Sequence, residues 1–200
     1  MARDERYALQ EALETYRRRW PEEEDVVRRF TTLLSTWPQC LERTSLPGHI
    51  TASGWVVHGS SEEVLLTHHR KLGRWLQLGG HADGEGDVVG VARREVAEES
   101  GIEHLLLWAE GADEGGTGAF FPTPFDIDIH EIPPHKTVPA HLHYDLRFAF
   151  LVSDFKAPVV SEESHDVAWV PLDRLDDYTD EESMLRMRRK WLDTYGRDVQ

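Results

Sequence analysis

Glu95, Glu98 and Glu99 sit in one short stretch, Arg93-Arg94-Glu95-Val96-Ala97-Glu98-Glu99, and their spacing decides what they can do together. At ~100° per residue a helix gathers the three carboxylates on one flank, an arc of roughly 100°. Glu95 and Glu99 then stand as like charges at i, i+4, which costs a helix about 0.2–0.5 kcal/mol, and Glu98 adds a third charge at close range. A cation reverses that sign. Hard divalent ions such as Mg²⁺ or Mn²⁺ take oxygen ligands, and Mg²⁺ is usually held by one or two carboxylates plus substrate phosphates. Beside the glycine-rich run Gly79-Gly80-His81-Ala82-Asp83-Gly84-Glu85-Gly86, the set therefore points to metal-assisted phosphate chemistry. The competing reading is a solvated acidic face paired with Arg93 and Arg94.

Two further groups carry chemistry. His68, His69, Arg70, Lys71 and Arg74 form a local basic cluster just before the glycine-rich run, able to neutralise a substrate phosphate or to end as a solvated strand. His141 and His143 are two apart on an expected strand and so share a face, a spacing that can chelate zinc if a third or fourth ligand such as Asp145, His81 or His130 joins them. The reading preferred here is that His141 and His143, with His81, line a substrate pocket.

The elements that must position these groups follow from periodicity. Asp87 is an N-cap candidate and Gly101 a left-handed stop, which predicts a helix of three to four turns between them with Val89, Ala92 and Val96 as its apolar stripe. Residues 3–20 read as a helix, Pro21 suits the first position of the next, and Val26, Val27, Phe30, Leu33, Leu34 and Trp37 mark a second one that ends at Trp37-Pro38. Strands are expected at 50–58, 64–69, 75–78, 105–108, 126–132, 141–152 and 166–170, the first two as a hairpin through Gly59-Ser60-Ser61. A short helix from Pro171 and an amphipathic one over 181–195 close the chain. The stretch 111–124 is a long irregular loop in which Phe120 and Phe121, with Phe125 beyond it, either stack a nucleobase or, the preferred reading, anchor the loop. Strands and helices in this order indicate an α/β chain with a mixed sheet and helices on its faces.

Composition bounds the partners. Two hundred residues with 37 acidic and 22 basic side chains carry a net charge of -15, which argues against nucleic-acid backbones and anionic membranes. Cys40 is the only cysteine, so an intrachain disulfide and a CxxC site are excluded, and a reducing cytoplasm is the expected compartment. The charged N-terminus is unlike a targeting segment, and no apolar run is long enough to span a bilayer.

The stretch around the three glutamates resembles the Nudix box, G-x5-E-x7-R-E-U-x-E-E-x-G-U with U aliphatic. Gly80, Arg94, Glu95, Val96, Glu98, Glu99, Gly101 and Ile102 occupy eight of its nine fixed positions; Gly86 stands where the pattern has its first Glu, with Glu85 and Asp87 beside it. A chance match is rarer than roughly one in a hundred thousand at ordinary residue frequencies, which decides against the solvated-face reading. The resemblance implies a Nudix-type α/β/α sandwich over about residues 49–175, with an N-terminal helical segment, 1–47, added to a hydrolase domain, 48–200, that includes the C-terminal helices. It implies Mg²⁺ or Mn²⁺ held by Glu95, Glu98, Glu99 and the Gly79 carbonyl, Arg94 orienting a glutamate, and Glu162 or Glu163 offered by a loop as general base or extra ligand.

The function expected from this is hydrolysis of a P–O–P bond in a nucleoside diphosphate linked to another group, with Glu98, Glu99, Arg94, Glu162 and Glu163 catalytic and His68, His69, Arg70, Arg74, His81, His141 and His143 binding substrate. The expected partner is a small nucleotide-like phosphorylated substrate, and the N-terminal helices offer a packing appendage or a homodimer surface. Two alternatives share the fold: an isopentenyl-diphosphate-isomerase-like enzyme, against which stands Gly79 where that family has a reactive Cys, and a non-catalytic nucleotide-binding module, which tends to lose the box carboxylates that this chain keeps.

Overall fold

The protein is described by a computed structural model over residues 2–59, 62–108, 121–135, 137–153 and 156–198. The expected loop residues 111–120, Phe120 among them, and Ser60-Ser61 of the hairpin turn lie outside the described residues.

Helices α1 (Ala2–Arg19) and α2 (Glu24–Thr36) are separated by a 3₁₀ turn, Pro21–Glu23, that Pro21 opens. Glu24 and Asp25 in the first turn of α2 suit the positive end of its dipole. Strands β1 (Gly48–His58), β2 (Glu63–His69), β3 (Arg74–Leu76) and β4 (Leu78–His81) lead into helix α3 (Val88–Ser100). Then come β5 (Leu106–Trp108), β6 (Asp126–Ile132), β7 (His141–Val152), β8 (Ser164–Pro171), a 3₁₀ turn at Leu172–Asp177 and α4 (Glu182–Asp198). Eight strands form one sheet in the order β3-β2-β1-β7-β5, with β4 paired to β1, β6 to β7 and β8 to β2. This is the expected α/β class with an added N-terminal helical segment. Among the described residues no helix is long and apolar enough to cross a membrane.

The chain divides into two compact units, and β1, β4, α3 and β7 each run from one into the other. Unit one holds residues 1–52, 80–91 and 111–148. Its core gathers Leu9, Leu13 and Tyr16 of α1, Phe30 and Leu34 of α2, Ile50 and Ile127, all buried, with Phe30 edge-on to Tyr144 at 5.2 Å. β6 and β7 pair antiparallel from Asp126↔Arg147 to Ile132↔His141, so the register sets His130 opposite His143. The loop before α3 is held by the preceding segment: Gly84 N–H donates to the Leu41 carbonyl at 3.0 Å, and Arg43 pairs with Asp83.

Unit two holds 53–79, 92–110 and 149–200. β2 pairs with β8 along nearly its full length, from Glu63↔Pro171 to His69↔Ser164, with an irregularity at His68/His69. Its core is built on Trp55, Leu65, Leu66, Val96, Phe150 and Trp191. Gly54 lets α3 approach β1, since a Cβ there would stand 2.6 Å from Val96 Cγ2 and 3.2 Å from the Phe150 ring. Gly101 ends α3 with φ +72, and its N–H closes on the Ala97 carbonyl at 2.8 Å.

Among the strands whose bounds differ from the periodicity, two differences have local reasons. β1 begins at Gly48 rather than 50, because the Ile50 N–H bonds the Cys40 carbonyl at 2.7 Å and the segment 48–49 is already extended and buried. The single strand expected at 75–78 is two, β3 and β4, broken at Gln77, whose side chain reaches Ser53.

Candidate active site

The helix α3 starts and stops as its sequence demands. Asp87 Oδ1 accepts the Gly90 N–H at 3.0 Å, a first-turn cap within unit one. In unit two, Val96 is buried while Glu95 and Glu99 are half-buried and Glu98 is exposed. That gradient separates three chemically identical side chains by environment.

Glu99 is the most perturbed. Burial pushes its pKa up to about 8, the charges of Glu95 and Glu163 push the same way, and the Gly79 backbone N–H, which donates to its carboxylate, opposes them. Its Oε2 is buried with no hydrogen-bond partner among the described residues. Glu95 is raised as well, first by burial, against the Arg94 hydrogen bond that favours its charged form. Arg94 donates to Glu95 Oε1 at 3.2 Å and lies 3.8 Å from Glu98 Oε1. Arg93 is turned elsewhere, over the Phe150 ring at 5.1 Å and onto the Leu105 carbonyl. A carboxylate with an orphaned buried oxygen, beside two more carboxylates and a single shared guanidinium, is a donor set that fits a hard divalent cation.

Glu163 is electrostatically coupled to this set. Its charge is felt at Glu95, Glu99 and His69, and its carbonyl accepts the Arg70 N–H at 2.9 Å, which fixes the loop ahead of β8 against the end of β2. Both loop glutamates are exposed, and no such coupling of Glu162 is among the described interactions.

The basic cluster is spread over separate tasks. His69 Nδ1 faces the N–H groups of Lys71 and Leu72 at 3.2 and 3.4 Å, capping the turn that Gly73 closes with φ +62. Arg70 donates to the Ser164 carbonyl at 2.9 Å, and Arg74 pairs with Glu181. His68 stacks on Trp75, ring centroids 5.2 Å apart, with His165 at 5.4 Å.

The remaining histidines assemble in unit one. His81, His141 and His143 come together with His49, which the periodicity placed outside any strand, and with His130. His49 is 4.9 Å from His143, 5.0 Å from His141 and 5.2 Å from His81 between ring centroids; His130 is 5.4 Å from His143. Burial lowers the pKa of His49, of His81 to about 4, and of His143 further still, so these rings are neutral at neutral pH. Asp145 continues the same face of β7 but is taken up elsewhere: it accepts Thr51 Oγ1 at 3.0 Å and Arg147 Nε at 2.9 Å, in a buried network that Asp126 and Asp128 complete.

Gly86 is occupied from outside the pattern. A Cβ there would stand 2.2 Å from Glu5 Oε2, so the carboxylate of an α1 side chain rests where the pattern's first Glu would begin. Asp87 is committed to its cap. Only the spacing around Gly86 hinted at this, and nothing in the sequence pointed to Glu5.

Comparison with known proteins follows the same lines. The family model described as NUDIX domain matches residues 48–191. Among solved structures, a NUDIX-family hydrolase from Clostridium perfringens superposes with a TM-score of 0.56 at 22% identity, covering 71% of this chain and 95% of its own. The dihydroneopterin triphosphate pyrophosphohydrolase of E. coli gives 0.53 at 16%, covering 71% and 93%, and the C. elegans Ap4A hydrolase in a binary complex gives 0.51 at 18%, also covering 71% and 93%. These likenesses establish a shared fold. No curated protein matches the chain at significant sequence similarity.

Proposed function

We propose, from the premise that this chain belongs to the NUDIX domain family, that it hydrolyses the P–O–P bond of a nucleoside diphosphate linked to a second group, using Mg²⁺ or Mn²⁺. As a family member it is a Nudix pyrophosphohydrolase. The observation that carries the metal dependence is Glu99: a carboxyl pushed up to about 8 by burial and by its neighbours, with one oxygen buried and unpartnered, makes chemical sense as a ligand. The names of two fold relatives, acting on Ap4A and on dihydroneopterin triphosphate, support a small phosphorylated substrate.

Glu95, Glu98 and Glu99, with Gly79 beside Glu99, would hold the cation, which when bound polarises phosphoryl oxygens and lowers the pKa of water. The residues of the chain do the rest. Arg94 spans Glu95 and Glu98 and holds their carboxylates in one orientation. The Gly79 N–H bonds the Glu99 carboxylate, while Oε2 is buried with no partner among the described residues. Glu163, coupled to both Glu95 and Glu99, is the carboxylate best placed to take the proton of the attacking water; Glu162 is not drawn into the cluster. His68, stacked on Trp75, presents a flat surface beside Arg70 for the organic half of a substrate.

The test is a phosphate-release screen over nucleoside triphosphates, sugar nucleotides, ADP-ribose, dinucleoside polyphosphates and CoA, with Mg²⁺ and Mn²⁺ compared. The reading expects turnover on at least one diphosphate-containing substrate that stops in chelator. Metal-independent turnover contradicts it.

A further inference from the structure

The histidines of unit one are arranged with as much care as the carboxylates of α3. His49, His81 and His143 each offer one ring nitrogen, and these atoms all lie within 4.8 Å of one another. Tetrahedral coordination at the usual Zn–N length places nitrogens roughly 3.3–3.5 Å apart, so the three need close by little more than rotamer adjustment. They come from three strands, β1, β4 and β7, whose backbones hold the rings in place.

A hydrogen bond sets the tautomer of His49. His49 Nδ1 lies 3.2 Å from the Ser45 carbonyl, an acceptor, so Nδ1 carries the proton and Nε2 is left as a lone pair. That Nε2 is buried and has no hydrogen-bond partner among the described residues, and the same is true of His143 Nε2. A carbonyl behind a ligating imidazole is the outer-shell arrangement that orients metal-bound histidines. The pattern repeats around the rim: His141 Nδ1 meets the Pro139 carbonyl at 2.9 Å, and His130 Nδ1 meets Asp128 Oδ2 at 3.2 Å, which Arg147 holds from its other side at 3.3 Å. A buried lone pair that accepts from nothing is costly in a folded protein and calls for an occupant.

We propose that His49, His81 and His143 form a binding site for one borderline divalent transition ion, with Zn²⁺ the reference case, separate from the carboxylate set and independent of the hydrolase reading. Neutral imidazoles suit Zn²⁺, Co²⁺ or Ni²⁺ and are poor ligands for Mg²⁺, whereas the α3 carboxylates have the reverse preference. Three protein ligands leave a fourth position, which His141, stacked on His49 with 29° between ring planes, can approach. The assignment differs from a substrate-lining role for His81, His141 and His143 in that the occupant is an ion and His49 is a necessary member.

The full-length chain, stripped in chelator and returned to excess Mg²⁺, is titrated with Zn²⁺ and separately with Co²⁺. The expected result is a single equivalent of Zn²⁺ retained through desalting, a Co²⁺ spectrum with the ligand-field bands of a nitrogen-rich site, and an upward shift of the thermal midpoint with either ion. Glu98→Gln combined with Glu99→Gln should leave all three unchanged. His143→Gln and His81→Gln should each weaken Zn²⁺ by more than the roughly 10–100-fold that losing an outer-shell partner costs. Each variant's melt in chelator reports whether it folds, and His81, the less buried of the two, serves if His143→Gln does not. Wild-type protein that retains no stoichiometric Zn²⁺ overturns the proposal, and so does Zn²⁺ that is lost with the glutamates but kept without the histidines.

Discussion

The acidic flank of α3 and the histidine cluster around His143 both gather groups that are costly together, but the chain builds them in opposite ways. The carboxylates come from one turn and a half of one helix; burial is the first cause of the raised pKa of Glu99, and the like charges of Glu95, Glu163 and Glu98 add to it. The imidazoles come from three strands far apart in sequence, and burial is again the first cause of every shift, but there it disfavours a cation and keeps the rings neutral. One set offers hard, charged oxygens and the other borderline, neutral nitrogens, so a single small fold presents two donor chemistries that select different ions. The difference also shows in the supporting groups, an arginine across the carboxylates and carbonyl acceptors behind the rings.

The comparison breaks most visibly at α3. Glu98→Gln, which removes one charge at nearly constant shape, should lower turnover by two or more orders of magnitude, about 2.7 kcal/mol of transition-state stabilisation, measured as kcat under saturating Mg²⁺. Glu163→Gln should lower turnover by a factor of roughly 10²–10⁴ if it takes the proton of the attacking water; Glu162→Gln should stay near wild type, which separates the two loop glutamates. Gly54→Ala drives a methyl into Val96 and Phe150 and should cost about 1–3 kcal/mol in denaturant melts, shifting α3 while leaving Zn²⁺ retention intact. The smallest effect is expected at Gly86→Ala, because the atom it meets is the far end of the flexible Glu5 side chain, which can swing aside; urea melts should move by less than about 1 kcal/mol.

How much of this was readable beforehand depended on whether a residue's role is local. The α3 boundaries followed from Asp87 and Gly101, whose cap and left-handed turn are formed within a few residues. Gathering Glu95, Glu98 and Glu99 needed only the helical period. His141 and His143 were visible as a pair because a strand puts alternate residues on one face, but Asp145 on that face is claimed by Arg147, a partner the alternation cannot show. His49 was missed because its role depends on β4 and β7 arriving beside β1, and the apolar run that announces β1 begins only after it. Glu5 was hidden for the same reason, as the packing of α1 against the loop at Gly86 is tertiary. The basic cluster is compact only in sequence: adjacent residues on a turning strand point in different directions, and Arg74 and His69 end in an ion pair and a turn cap.

The central claim is that the α3 carboxylates are held together to bind a cation, and stability against pH in chelator tests it most directly. A carboxyl whose folded pKa stands near 8 against an ordinary 4.5 keeps its proton in the folded state after the unfolded chain has lost it. Stability from that proton is full below about 4.5 and is lost as pH rises towards 8. Metal-free wild type should therefore weaken across this window, Glu99→Gln should flatten the slope and be as stable or more stable at pH 8, and saturating Mg²⁺ should restore the wild type but not the variant, while turnover in the variant collapses. A Glu99→Gln protein that loses stability in chelator at pH 8 and keeps wild-type turnover would contradict the account and make Glu99 a structural partner of its neighbours.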